Sequence, residues 1–352
     1  MRYIKKQYKK FNKNIYNELT LAADIGGTNS SFGFFGIKKD IPELIAGFNF
    51  KSNEIKNLHD AVNEVLNSIK QDYRISIVKA CFGVAGVVSN GKKQARITKL
   101  NWNLSSKSIA KKTGLKKIIF INDFEAIGYG INIIKKNQYI TIKKGIKIPK
   151  SNILVIGAGT GLGKTLLVYD KEEKFYKPIA SEAGHIDFPA QTEDEIKLIE
   201  FVKRRNKIRQ SVSYEQVLSG PGLKNIYLYL RKSGKFRNTK YTKEIDKSSC
   251  NSELISKYRK NDKTSKAVFE IFRNNYAKFA RDMSLDGLSL GGIFIAGGIA
   301  TKNKDIFGRK FISIFEQSHD GAYILKKMPI NLISDLSIGL LGAGFAGAKL
   351  LK

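Results

Sequence analysis

The stretch 21-LAADIGGTNSSFGFFG-36 decides how the rest of the chain is read. An apolar run ends on Asp24-Ile25, Gly26-Gly27-Thr28-Asn29 follow, and a second apolar run begins after them. This pattern predicts two paired strands around a glycine turn. Two readings of the turn stand side by side. It is an ordinary hairpin, or its successive N–H groups form a concavity for a phosphate. The second reading has chemistry behind it: a Gly-Gly pair has no Cβ to block an approaching ligand, and the Thr28 hydroxyl adds a donor. On that reading Asp24 holds a hydrated Mg²⁺ beside the phosphates.

Working outward, 153-ILVIGAGTGLGKTLLVYD-170 repeats the order strand, glycine turn, strand. It is not a Walker A loop, because Ala158 stands where the first glycine must be and a strand rather than a helix follows Lys164-Thr165. What remains is a second Gly/Thr turn, Gly159-Thr160-Gly161, with Thr160 as a candidate partner for a γ-phosphate; the alternative is a tight hairpin. The two units suggest related halves facing each other across a cleft. In 121-IND-123 a buried strand ends on Asn122 and Asp123, where α/β sheets present ligands. A carboxylate there takes the proton of an attacking hydroxyl, or it caps the helix that starts at Phe124. In 181-SEAGHIDF-188, Glu182 and His185 suit the vicinal hydroxyls of a sugar, and Glu215 is a further candidate or a solvated helix residue. Gly297-Gly298, after the strand "IFIA", either admits a flat adenosine or serves strand-to-helix packing.

The chain has 352 residues, enough for one large or two moderate domains. Its two cysteines exclude a disulfide framework and a cysteine-rich metal site, and His59 and His319 lie in unrelated contexts. No apolar run is long enough for a membrane span and no signal peptide is visible, so a cytoplasmic protein is expected. The net charge of +31 comes from lysines scattered along the chain, with no nucleic-acid-binding motif. We read it as a solvated surface whose field draws in anionic ligands such as nucleotides.

Helical spacing is seen in 58–71, 105–115, 124–136, 192–205, a region around 213–232 broken by Gly-Pro-Gly, 265–285 and 337–351. Strands alternate with these helices, which argues for an α/β fold with a mixed sheet. Residues 1–20, with six Lys/Arg and one Glu, read as an extension or a short helix, and 232–263 as a polar surface excursion.

Taken together, "ADIGGTN", "INDFEA", "GAGTGLG", "SEAGHIDF", "VLSGPGLKNIY", "FIAGGI" and "GLLGAG" resemble the bacterial-type ATP-dependent glucokinases of the actin/hexokinase/sugar-kinase superfamily, over about residues 20–352. The resemblance implies a two-domain actin-like ATPase (ribonuclease H-like) fold, with a mixed sheet in each domain and an active-site cleft between them. We expect an extension at 1–20, a small domain of 21–133 plus 338–352, and a large domain of 134–337. It implies ATP and Mg²⁺ as cofactors and glucose as substrate. Asp123 is then the base that deprotonates the sugar 6-hydroxyl, and Asn122, Glu182, His185 and Glu215 hold the other hydroxyls. Ala23, Asp24, Ile25, Gly26, Gly27 and Thr28 form the first phosphate turn, Gly159, Thr160 and Gly161 the second, and Gly297 and Gly298 lie against adenosine. A cytoplasmic homodimer is implied, without membrane or specific nucleic-acid partners. The chain departs from the family pattern at Lys99, which follows Thr98 where an asparagine is usual, at Ala183 in place of a glycine, and at Lys164, which reaches a phosphate or points to solvent. Lys99 leaves sugar selectivity open. The alternatives are a kinase for mannose, glucosamine or fructose, polyphosphate as donor, and, in a different class, a sugar-sensing regulator.

Overall fold

In the computed structural model, residues 2–352 are described; the Thr98 side chain lies outside the described residues. The chain forms two compact units. One holds the residues up to Lys135 together with Asp170–Ala180 and Asp335–Lys352, the other Lys136–Tyr169 and Ser181–Ser334.

The first unit opens with β1 (Tyr3–Gln7), β2 (Glu18–Ile25), β3 (Asn29–Lys38) and β4 (Ile41–Lys51). The quoted stretch is the β2–β3 hairpin, in antiparallel register from Glu18↔Ile37 to Ile25↔Ser30. Helix α1 (Leu58–Tyr73) follows, burying Leu58, Ala61, Val62, Val65 and Ile69 at helical spacing. Then come β5 (Lys79–Val84), a small ribbon of β6 (Val87–Ser89), β7 (Gln94–Ile97) and β8 (Trp102–Ser105), α2 (Ser106–Thr113), β9 (Lys117–Asn122) and α3 (Asp123–Gly130). The main sheet has the order β1-β4-β3-β2-β5-β9. Strands β2, β5 and β9 run parallel, so Ile25, Val84 and Asn122 finish side by side at their carboxyl ends.

Two sequence expectations change in this unit. Residues 2–20 are no loose extension: beside one 3-10 turn at Lys13–Ile15, β1 pairs with β4 from Tyr3↔Phe50 to Gln7↔Ala46, and Phe11 packs on Tyr16, Phe34 and Tyr73. The lysines misled because an ammonium can lie over rings, as that of Lys5 does over Phe48 and Tyr73. Helix α3 stops at Gly130 instead of running to 136, with Asn132 donating to the Tyr129 carbonyl at 3.1 Å.

The second unit continues with β10 (Tyr139–Lys143), β11 (Ile153–Ala158) and β12 (Leu162–Asp170); β13 (Phe175–Ser181) then contributes its Phe175 ring to the first unit, against Tyr129 and Phe345. Helices α4 (Glu193–Arg205), α5 (Gly220–Lys232), α6 (Lys240–Lys247), α7 (Ser252–Tyr258) and α8 (Lys263–Asp286) follow. The Gly-Pro-Gly break is the start of α5, which Ser219 caps through the Gly222 N–H at 3.0 Å. The stretch 232–263 is no surface excursion. It forms α6 and α7, and Ile245, Cys250, Ile255 and Tyr258 are buried in this unit's core. After β14 (Ile293–Ala296) come α9 (Gly298–Lys302), α10 (Arg309–Phe315), α11 (Ala322–Leu325) and β15 (Ile330–Ile333). In this mixed sheet β10, β15, β14, β11 and β12 lie side by side in that order.

The chain ends on α12 (Ile338–Leu350), which returns to the first unit and is buried almost all round. Its small residues let backbones approach: Gly342 sits against the Ala126 carbonyl of α3. This packing sets α3, and Asp123 with it, on the sheet.

Candidate active site

The first glycine turn is held from behind by a residue that motif reading does not find. Buried Ser52 donates its Oγ–H to the Gly26 carbonyl (2.7 Å) and its N–H to the Thr28 carbonyl (3.0 Å), and meets Ser30 Oγ at 2.9 Å. Because the peptide is planar and trans, turning the Gly26 carbonyl toward Ser52 turns the Gly27 N–H the other way. The Gly27 and Thr28 N–H groups donate to no backbone carbonyl among the described residues. Unspent donors of this kind are what an anion-binding turn needs. Ala23 and Ile25 are core residues of β2, so their contribution here is backbone only.

Asp24 sits between them, half-buried, its Oδ2 2.6 Å from the place where a side chain on Gly339 of α12 would start. Removal from water pushes its carboxyl up to about 6. No lysine or arginine among the described residues pairs with it. A withdrawn carboxylate without a cation fits a hydrated Mg²⁺ carried mainly by substrate phosphates, and no cluster of three or more His, Cys, Asp or Glu among the described residues offers an all-protein metal cage.

At the end of β9 the sequence left a choice between cap and base for Asp123. Asn122 is the cap. Its Oδ1 accepts the Phe124 N–H at 2.8 Å, and Glu125 Oε2 accepts the Asn122 N–H at 2.9 Å, which completes a capping box. Asp123 stands at the first helical position, half-buried, with Oδ1 3.0 Å from the Phe124 N–H. Glu125 is buried and paired with Lys92 Nζ at 2.7 Å. Glu125 was missed by motif reading, although N-x-x-E before an apolar helix is a legible signal. Asn122 also donates Nδ2 to the Gly86 carbonyl at 3.2 Å, leaving one amide N–H for a ligand.

In the second unit the turn at Gly159–Gly161 is closed by the Gly159 N–H on the Gly161 carbonyl (2.8 Å) and held by the Gly220 N–H on the Gly159 carbonyl (2.8 Å). Glu215 is not a solvated helix residue: its Oε2 accepts the Leu162 N–H at 2.8 Å and lies 2.6 Å from the Cβ position of Gly161. Only glycine allows that approach. Glu182 and His185 flank a short turn, with His185 Nε2 3.7 Å from Glu182 Oε2 and both side chains about two-thirds exposed. The Tyr214 N–H on the Ile186 carbonyl (2.9 Å) ties this loop to the Glu215 segment. The fold thus gathers Glu182, His185, Glu215 and Thr160 around the start of β12, and keeps Asn122, Asp123, Asp24 and the first turn in the first unit. The methyl of Ala183 is buried within its loop.

Gly297 and Gly298 separate in role. Gly297 has φ +94 and faces the Ala158 carbonyl, so its glycine is required by the fold. Gly298 faces open space and is available to a ligand. Lys164 does neither thing expected of it: buried, it pairs with Asp286 at 2.7 Å at the end of α8.

A family model for glucokinase matches residues 21–350. The chain belongs to the glucokinase family. It is a sugar kinase by that membership, with two α/β units of the actin-like ATPase fold. Glucokinase of Nostoc sp. is 32% identical over 348 residues, covering 94% of this chain and 99% of the relative. Glucokinase of Synechocystis sp. is 27% identical over 350 residues, covering 94% and 98%. Among solved structures, glucokinase from an Antarctic psychrotroph aligns at a TM-score of 0.78 with 27% identity, covering 94% of this chain and 99% of that one. A ROK-family glucokinase from Streptomyces griseus, solved with glucose and AMPPNP, shares the fold at a TM-score of 0.63 and 15% identity, with 94% and 99% covered.

Proposed function

We propose that this glucokinase-family chain phosphorylates D-glucose at its 6-hydroxyl with ATP, giving glucose 6-phosphate and ADP, the entry step of glycolysis. The observation that carries the reading is at the end of β9: Asn122 and Glu125 take over the helix cap, so Asp123 presents a carboxylate at the strand end without being the cap. In the reaction the O6–H proton passes to Asp123, O6 attacks the γ-phosphorus, and the bond from that phosphorus to the β-bridging oxygen breaks as ADP leaves. Asn122, Glu182, His185 and Glu215 hold the remaining hydroxyls. The turns at Ala23–Thr28 and Gly159–Gly161 hold the phosphates through the N–H groups of Gly27, Thr28, Thr160 and Gly161, which donate to no backbone carbonyl among the described residues, and Gly298 lies under adenosine. Mg²⁺, which neutralises phosphate charge when bound, would be held through water by Asp24, whose desolvated, cation-less carboxyl fits it.

Glucokinase from Balamuthia mandrillaris, solved with glucose, and the Streptomyces griseus ROK glucokinase, solved with glucose and AMPPNP, support this choice of sugar and donor, and a cytoplasmic homodimer is part of the same reading. The deciding experiment is a coupled ADP-release assay with glucose and ATP, with and without Mg²⁺, beside mannose, glucosamine, fructose and polyphosphate. The highest kcat/KM is expected for glucose with ATP. Asp123→Ala should cut kcat by about 10²–10⁴ or more, with glucose affinity largely kept. Near-normal turnover in that variant sinks the mechanism, and a higher kcat/KM for another sugar or donor reassigns the substrate.

A further inference from the structure

We propose that Lys99 places its ammonium against the phosphoryl group in transfer at the first glycine turn, as a substrate-contacting residue of the reaction. The proposal rests on the kinase reading above and adds a charge that the motifs do not contain. Lys99 lies in the short turn Thr98–Leu100, between β7 and β8 of the same unit as the glycine turn. Its Cδ is 2.8 Å and its Cβ 3.3 Å from the point where a side chain on Gly27 would begin. The aliphatic stem therefore runs along Gly27, with the ammonium carried one carbon beyond the Cδ that touches it. Gly27 serves two purposes at once: it lets a phosphate approach from one side and the lysine stem from another.

Two further observations separate Lys99 from an ordinary surface lysine. Lys92 and Lys164 are committed to Glu125 and Asp286, whereas Lys99 is exposed and has no carboxylate partner among the described residues. The Gly27 and Thr28 N–H groups of the turn its stem lies on donate to no backbone carbonyl among the described residues. A cation and unspent donors converging on one spot attract an oxyanion, and the charge grows on the equatorial oxygens of the phosphoryl group as it transfers. Lysine suits this position because its flexible stem carries a point charge that can follow the group. The step is electrostatic: Lys99 forms no bond and keeps its proton.

The test traps the transfer state. Wild-type, K99M and K99R proteins are titrated with MgADP and fluoroaluminate in the presence of glucose, and separately with MgADP alone and glucose alone. K99M should weaken the trapped complex about tenfold or more, leave the two separate ligands within about twofold, and lower kcat with an unchanged KM for glucose. K99R should recover most of the loss, and the K99M defect should shrink as salt is raised, since an exposed charge is screened. Equal trapping by K99M and wild type overturns the proposal. So does an equal loss of MgADP and glucose binding, which would mean that Lys99 merely props the turn. If the wild-type protein forms no trap, the kinase reading fails first, and that outcome is distinct because K99M is then not the variable.

Discussion

Asp24 carries its carboxyl in a place that disfavours charge, and this has a signed consequence. Its pKa is lifted to about 6 from an ordinary 3.8, so between those values the folded state takes up a proton that the unfolded chain does not. This group therefore makes the ligand-free protein more stable as pH falls through that window and less stable above it. Asp24→Asn should raise the apo stability at pH 7 by on the order of 1–3 kcal/mol while lowering kcat/KM for MgATP about a hundredfold. Thermal melts with and without nucleotide read both effects, and an apo Tm that drops would refute the desolvation argument. At Ser52, loss of one hydroxyl removes the hold on the Gly26 carbonyl. Ser52→Ala should cost about 1 kcal/mol of stability and raise KM for ATP several-fold, with KM for glucose unmoved.

At the scale of elements, the turn and helix termini carry the risk. In α3 the capping box joins Asn122 to Glu125, and Lys92 completes the pair. Glu125→Ala breaks that box and leaves Lys92 without its partner. We expect a loss of about 1–3 kcal/mol and a lowered kcat, because Asp123 is the next residue along. A variant that melts like wild type with full kcat would show that the cap does not position the base. In the second turn, Gly161→Ala sets a methyl against the Glu215 carboxylate that holds the Leu162 N–H. Turnover should fall at least about tenfold, and the double variant Gly161→Ala/Glu215→Gln should not restore it if Glu215 also binds sugar. These elements were legible where their chemistry is local. The hairpins, the α4 capping box led by Thr192 and the Ser-Gly-Pro start of α5 follow from neighbouring residues. The polar stretch 232–263 was not, since α6 and α7 each bury only a few side chains, α7 against α5 and α8 and α6 against α7.

At the scale of the whole molecule, two quantities matter: the charge and the N-terminal strand. A net charge of +31 repels itself, so apo Tm should rise as salt is increased from low to physiological ionic strength; a flat or falling curve would mean the lysines are locally compensated. Deleting residues 1–17 uncovers the edge of β4 and the Phe34 and Tyr73 rings on which Phe11 packs. The truncated protein should melt several degrees lower and aggregate more readily, both measurable by scattering during a melt.

What the sequence determined by itself is everything built from neighbours along the chain. The β2–β3 hairpin with its Gly-Gly-Thr turn, the second turn at Gly159–Gly161, Asn122-Asp123 at a strand end and the order of seven motifs were enough to imply the family and the fold. Tertiary structure alone decided which side chains hold those motifs in place. Ser52 reaches Gly26 across 26 positions, Lys164 reaches Asp286 across 122, and Lys99 crosses from another hairpin to lie on Gly27. A turn is written in the φ/ψ preferences of three or four adjacent residues, whereas a long-range contact depends on where two whole strands come to rest. A lone serine or lysine carries no local trace of that.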